Sequence, residues 1–113
     1  MDLNIGKHQN GQEVMIHVQG EIDAYTAPKL REELLLFAKE GNKTIIVNLK
    51  DVTYLDSTGL GVFVGLFKEL SKNNGELKLI QLSNRLYRLF EITGLSNIMN
   101  ISAKSEMEDG ENI

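Results

Sequence analysis

The chain has 113 residues, of which 42% are hydrophobic and 25% charged, with a formal net charge of −4 and no cysteine. These values fit one globular domain, exclude disulfides and cysteine-based zinc sites or nucleophiles, and argue against direct nucleic-acid binding, since no basic face appears in the Lys and Arg spacing. No apolar run has the length of a membrane span and the start does not form a signal peptide, so we expect a cytoplasmic protein without membrane contact.

The chain begins with a predicted β-hairpin. Residues 3–8 read as a weak strand, and Asn10-Gly11 is a hairpin turn signal. Residues 14–18 alternate between apolar and polar side chains, which is typical of a half-buried strand. Gly20 is expected to end this second strand.

A helix and a buried strand follow. Residues 20–25 are expected to form a loop, with Thr26 as the N-cap of the helix and Pro28 just inside its start. Gly41 is expected to stop the helix at its C-terminal end. Residues 44–49 are a β-branched run short enough for a buried strand.

The second half of the chain predicts two further helices that alternate with strands. A helix is expected from Ser57 to about Ser71, and a strand over 77–82. Ser83 or Asn84 caps the next helix. A last, short strand is predicted over 98–101.

The order β-β-α-β-α-β-α-β predicts an α/β fold with a small mixed β-sheet covered by helices. Strands separated by helices are expected to be parallel neighbours, and the opening hairpin supplies one antiparallel pair. Residues 1–102 are assigned to this single domain. Residues 103–113 are assigned to an acidic C-terminal tail, frayed or forming a short helix.

The segment Asp56-Ser57-Thr58-Gly59-Leu60-Gly61 is the most informative in the chain, because it joins an apolar strand to an apolar helix. A hydroxyl at this junction stands at a helix start, where unpaired N–H groups and the positive end of the helix dipole favour an added anion. Asp56 is expected to cap the helix. The segment therefore suits a serine that a kinase modifies.

One stripe of the predicted helix is nearly bare of side chains. At about 100° per residue, Ser57, Gly61, Gly65 and Lys68 share one sector, away from the apolar face. Each glycine inside a helix costs about 0.5–1 kcal/mol relative to alanine, so the pair needs an explanation. Either the stripe packs closely against a neighbouring helix, or it is a surface on which a partner docks.

Enzymatic alternatives lack essential residues. The glycines of residues 59–65 resemble a dinucleotide fingerprint, but the next strand has no terminal acid and no P-loop lysine is present. A receiver-type role for Asp56 lacks clear Mg²⁺-binding acids. His8 and His17 suggest neither a metal site nor a Ser-His-Asp triad. We expect no cofactor, no metal and no catalysis.

The chain resembles the bacterial anti-sigma factor antagonists, which are single STAS domains, and among them those of the general-stress sigma-B system. The resemblance covers nearly the whole chain apart from its acidic end, and its D-S-[ST]-G-[LIV]-G core is specific when it follows a strand. The matching segments are residues 20–23, 27–31, 49–52, 56–65, 86–95 and 101–105.

The resemblance implies partner switching in the regulation of stress transcription. The unphosphorylated antagonist binds an anti-sigma factor that is also a serine kinase, and the sigma factor is released. The kinase phosphorylates the antagonist, here on Ser57, and this abolishes binding; a stress-activated phosphatase restores the binding form. The antagonist is a substrate and a ligand in this scheme, and we expect it to be a monomer when free.

By resemblance, Glu21 and Asp23 lie on the partner-binding surface near Ser57. We expect Asp56, Thr58, Gly59, Gly61 and Gly65 to belong to the same surface. The alternative for Glu21 and Asp23 is capping within the loop. Tyr25 is either an aromatic anchor for the partner or a buried flank. Two other functions stay open, a STAS scaffold or adaptor in another signalling complex and a small nucleotide-binding enzyme.

Overall fold

Residues 2–104, described in a computed structural model, alternate between strands and helices in the predicted order. A short 3-10 helix, Leu95–Asn97, is an addition to that order. The elements are β1 (Leu3–Asn10), β2 (Glu13–Ile22), α1 (Ala27–Ala38), β3 (Thr44–Leu55), α2 (Ser57–Lys72), β4 (Glu76–Leu82), α3 (Asn84–Ile92) and β5 (Asn100–Ala103).

The five strands form one mixed sheet in the order β1-β2-β3-β4-β5. β1 pairs antiparallel with β2, and the other neighbours are parallel. Each crossover moves one strand along in the same direction, so right-handed connections place α1, α2 and α3 on the same face of the sheet. The predicted mixed α/β architecture is confirmed.

The core lies between that face and the helices. Val14, Ile16 and Val18 of β2 are fully buried, whereas the side chains between them are exposed, as the alternation predicts. Phe63 of α2 and Phe90 of α3 are also fully buried, with ring centroids 6.5 Å apart and tilted planes. These rings join the two helices above the sheet.

Two strand ends predicted from the sequence were wrong. β2 does not stop at Gly20 but continues to Ile22, and β3 continues past Leu49 to Leu55. The β2–β3 pairing shifts register twice, between His17 and Gln19 and between Gly20 and Glu21. These irregularities break the simple alternation but keep the two strands paired beyond the polar residues that suggested a loop.

The last strand also differs from its prediction. β5 covers Asn100–Ala103 and not 98–101, because Leu95–Asn97 form the 3-10 helix and Ile98 lies outside the sheet with 60% of its surface exposed. β5 thus runs one residue past the predicted domain end. Most of the predicted acidic tail, residues 105–113, lies outside the described residues.

The parallel strands bring the starts of the three helices to one edge of the sheet. β2 and β3 end side by side, with Ile22 paired to Leu55, and the Asp56 amide donates a hydrogen bond to the Ile22 carbonyl at 3.3 Å. Residues 23–26 and the start of α2 are therefore neighbours. Among residues 2–104, no helix combines the length and the apolarity needed to cross a bilayer.

Candidate functional site

Ser57 is the first residue of α2 and directly follows the residue that caps this helix. Asp56 has an extended backbone, and its Oδ1 accepts a hydrogen bond from the Gly59 amide at 3.1 Å, so the predicted cap is confirmed. Ser57 and Thr58 are both exposed. Their amides lie in the first turn, where the helix itself offers no acceptor. An anion added to Ser57 would meet N–H groups at the positive end of the helix dipole.

Gly59 does not lie on the surface, and its assignment to the partner-binding surface was wrong. It is buried, and a Cβ there would lie 2.8 Å from Ile22 Cγ2 and 3.1 Å from the Ile22 carbonyl oxygen, and would also collide with the Leu55 side chain. Glycine is required because the first turn of α2 approaches the ends of β2 and β3 this closely.

Gly61 and Gly65, by contrast, face open space. Both are exposed, and a Cβ built on either would meet no atom within 4 Å outside the local helix. Close packing against a neighbouring helix, one of the two explanations for these glycines, is therefore wrong within the described residues. Together with Ser57 and Lys68, which are also exposed, they form an uncovered stripe along α2.

The loop before α1 is held by a local hydrogen-bond network. Asp23 Oδ1 accepts from the amides of Tyr25 at 2.9 Å and Thr26 at 3.0 Å, and the Thr26 hydroxyl accepts from the Asp23 amide at 2.9 Å. Those bonds, above all the one from the Thr26 amide, hold the pKa of Asp23 below its ordinary value.

This network corrects one prediction and supports the capping alternative for Asp23. Thr26 stands at the N-cap position of α1 but its side chain caps no helical amide, because its hydroxyl is turned back into the loop, where it accepts from the Asp23 amide and donates to the Glu21 carbonyl at 2.8 Å. The loop is also shorter than predicted, since Gly20 and Glu21 belong to β2.

Tyr25 is the most exposed of the large hydrophobic side chains that the structure describes. With 85% of its surface accessible, it is not a buried flank, and that alternative was wrong. Glu21 is half-buried and pairs across the sheet with Tyr54 of β3. Tyr25 and Glu21 flank Asp23 on the edge that also carries Ser57.

A groove of about 570 Å³ runs between α1 and α2 and was not predicted. Leu36, with 66% of its surface exposed, lies on its wall. The run Leu34-Leu35-Leu36 could have indicated an exposed apolar side chain on α1. Three successive residues at about 100° spacing cannot all share a helix's buried face. The lining residues are Ala27, Pro28, Arg31, Glu32, Leu35, Leu36, Lys39, Thr58, Gly61 and Val62.

Neither histidine belongs to a cluster of metal-ligand side chains among the described residues. His17 Nε2 lies 2.8 Å from Asp51 Oδ2, with both side chains exposed. Within residues 2–104, no three His, Asp or Glu side chains converge as metal ligands would.

Comparison with known proteins identifies a family. The chain matches the STAS domain over residues 4–107. It is 54% identical over 106 residues to the anti-sigma-B factor antagonist of Bacillus subtilis strain 168, covering 94% of this chain and 96% of that protein. It is 44% identical over 108 residues to the anti-sigma-B factor antagonist of Staphylococcus aureus strain NCTC 8325, covering 96% and 100%.

Solved structures show the same fold at low sequence identity. An anti-sigma factor antagonist from Mycobacterium paratuberculosis has a TM-score of 0.80 at 20% identity, covering 95% of this chain and 90% of that one. The Bacillus cell fate determinant SpoIIAA in its phosphorylated form has a TM-score of 0.71 at 24% identity, covering 96% and 98%.

Proposed function

The chain belongs to the anti-sigma factor antagonists of the STAS family, which are regulators and not enzymes, and we propose that Ser57 is the phosphorylation site that controls its binding to an anti-sigma factor. The unphosphorylated form binds an anti-sigma-B factor with serine kinase activity, and the sigma factor is released for stress transcription. Phosphorylation of Ser57 by that kinase dissociates the antagonist from the anti-sigma factor. The exposed position of Ser57 at the start of α2, beside an uncovered stripe, carries this proposal.

The surface around Ser57 provides the partner contacts in this scheme. We call it the docking surface: Glu21, Asp23, Tyr25, Asp56, Ser57, Thr58, Gly61 and Gly65. Tyr25 extends into solvent at one side of it. At the other side, Gly61 and Gly65 carry no side chains that would project from α2. A partner backbone can therefore approach Ser57 closely, while an aromatic side chain at the rim contributes contact area.

Phosphorylation would obstruct this surface without unfolding the protein. A phosphate adds about −1.5 to −2 charges at pH 7, next to Asp56 and on a chain with a net charge of −4. The helix start accommodates the anion. A partner packed on the same spot would have to desolvate it, which costs several kcal/mol and changes affinity by a hundredfold or more, at about 1.4 kcal/mol per decade.

The remaining partners follow from the same chemistry. A phosphatase that acts on phosphorylated Ser57 restores the binding form. The antagonist needs no cofactor of its own, because ATP belongs to the kinase. We place the exchange in the cytoplasm, with the free antagonist as a monomer.

The test is phosphorylation by the anti-sigma-B factor of Bacillus subtilis, whose antagonist is 54% identical to this chain. Incubation with that factor and ATP should add one phosphate to the wild-type chain at Ser57, located by mass spectrometry of peptides. Phosphate found on Thr58 would move the site by one residue. No phosphate on either residue would overturn the proposal.

A further inference from the structure

We propose that the groove between α1 and α2 receives an amphipathic helix of the anti-sigma factor, which places aliphatic side chains on the groove's apolar wall and carboxylates on Arg31 and Lys39. This inference rests on the proposed function and adds a second contact to the docking surface.

The groove is continuous with the docking surface. Thr58 and Gly61 belong to both, one and four residues after Ser57. On the other wall the lining residues extend from Ala27 to Lys39, a rise of about 18 Å along α1 at 1.5 Å per residue. A partner that covers Ser57 therefore has a channel of about three helical turns beside it.

Aliphatic side chains form the wall of this channel. Val62 is buried and Leu35 packs partly against the core, whereas Leu36 exposes 66% of its surface. A single exposed leucine is ordinary on a flat surface, but this one lies on a concave wall next to other apolar atoms. Grooves of that kind accept the apolar face of an amphipathic helix.

The charges at the groove favour an acidic occupant. Arg31 and Lys39 are exposed and lie eight residues apart on α1, a rise of about 12 Å. Neither forms an ion pair within residues 2–104, and Glu32 is the single acid among the lining residues. The groove is thus a locally cationic site on a chain with a net charge of −4, complementary to carboxylates.

Gly61 leaves the α2 wall of the groove without a projecting side chain at this point. A Cβ there would meet no atom within 4 Å outside the local helix, so the space above it belongs to the groove. The backbone of an occupant can approach α2 at this point, as small residues permit between packed helices.

Binding of the Bacillus subtilis anti-sigma-B factor, measured by calorimetry, tests the inference. Leu36→Asp should weaken binding at least tenfold, because the aspartate opposes both burial and the expected carboxylates. Ile92→Asp is the matched control: Ile92 is 74% exposed but lies on α3, so its replacement should change affinity less than twofold. The double variant Arg31→Glu/Lys39→Glu should also lose at least tenfold, with Arg85→Glu/Arg88→Glu on α3 as its control.

The outcomes separate this inference from the proposed function. If Leu36→Asp and Arg31→Glu/Lys39→Glu bind like wild type while Ser57→Asp binds weakly, the groove is not a contact and the function stands. Equal binding by Ser57→Asp, or no binding by the wild-type chain, would overturn the proposed function itself. A change in the sedimentation of the free protein on Leu36→Asp substitution would assign the groove to a second copy of this chain and overturn the inference. Leu36→Ser, read together with thermal unfolding, guards against a folding defect.

Discussion

The amide of Asp56 donates a hydrogen bond to the carbonyl of Ile22 at 3.3 Å, which joins the end of β3 to the end of β2. The bond fixes the start of α2 against the strand that leads into the Asp23 loop. Two segments more than thirty residues apart in the chain therefore form one surface. Five predictions test what that surface does and what holds it in place.

The first concerns the charge at Ser57. Ser57→Ala should retain anti-sigma factor binding and accept no phosphate, whereas Ser57→Asp should bind at least tenfold more weakly because its carboxylate must be desolvated. Titration calorimetry compares the two variants, with Ser71→Ala as the control for an exposed hydroxyl on the same helix but outside the docking surface. Equal affinities for the alanine and aspartate variants would argue against charge as the switch. Circular dichroism of phosphorylated and unmodified protein should coincide.

The second concerns the uncovered stripe. Gly65→Ala should stabilise the protein by about 0.5–1 kcal/mol, since alanine is the better helix former and the space is open. The same change should lower partner affinity, because a methyl group stands where the partner approaches. Chemical denaturation and calorimetry measure the two effects. A gain in stability with unchanged affinity would remove Gly65 from the docking surface.

The third prediction compares Gly59→Ala with Gly65→Ala on the same helix. Its Cβ would lie 3.1 Å from the Ile22 carbonyl oxygen and collide with the Leu55 side chain, so we expect a loss of about 1–3 kcal/mol in the free energy of unfolding. Denaturation curves of Gly59→Ala and Gly65→Ala should shift in opposite directions. A stabilising shift for Gly59→Ala would mean that the start of α2 lies farther from β2 and β3 than these distances require.

The fourth prediction concerns the cap of α2. Asp56→Ala removes the acceptor of the Gly59 amide and should cost about 0.5–2 kcal/mol, whereas Asp56→Asn keeps an acceptor and should cost less. Ser83→Ala provides a control, because Ser83 caps α3 by accepting from the Leu86 amide at 3.2 Å. Both alanine variants should lose stability, but only Asp56→Ala should also lose partner affinity. An equal loss of affinity in both would indicate a global effect.

The fifth concerns pH. The folded-state pKa of Asp23 is lowered by the bond from the Thr26 amide, so its carboxylate stabilises the fold above the unfolded pKa of about 3.9 and loses that effect as pH falls through the folded value. Thermal unfolding of wild type and Asp23→Asn from pH 7 to pH 3 checks this. The advantage of wild type should shrink below about pH 4; parallel curves across the range would contradict it.

Patterns over a few neighbouring residues predicted which strands and helices form more accurately than they predicted where the strands end. The alternation in β2 and the cap-and-helix signal at Asp56 each depend on a few neighbouring residues, and both predictions were confirmed. Gly20 and the polar residues after Leu49 read as strand ends because the register shifts that carry β2 and β3 past them arise from pairing between distant segments. No local pattern contains that information.

At the candidate site, too, local patterns predicted some features and missed those that depend on residues distant in sequence. Spacing on a helix placed Ser57, Gly61 and Gly65 in one sector, but it could not distinguish an open glycine from an enclosed one. Gly59 is enclosed because Ile22, far away in sequence, lies against it. The groove beside α2 was missed for a similar reason, since its walls come from two helices.

The position of Ser57 on an already formed first turn has a kinetic consequence. In the proposed scheme no part of residues 2–104 has to melt or refold between the two forms, so no slow conformational step in this part of the antagonist delays the exchange. The interval between a stress signal and the transcriptional response would then follow the turnover of the kinase and the phosphatase. Cells could adjust that interval through the amounts of those two enzymes, with the antagonist's own sequence unchanged.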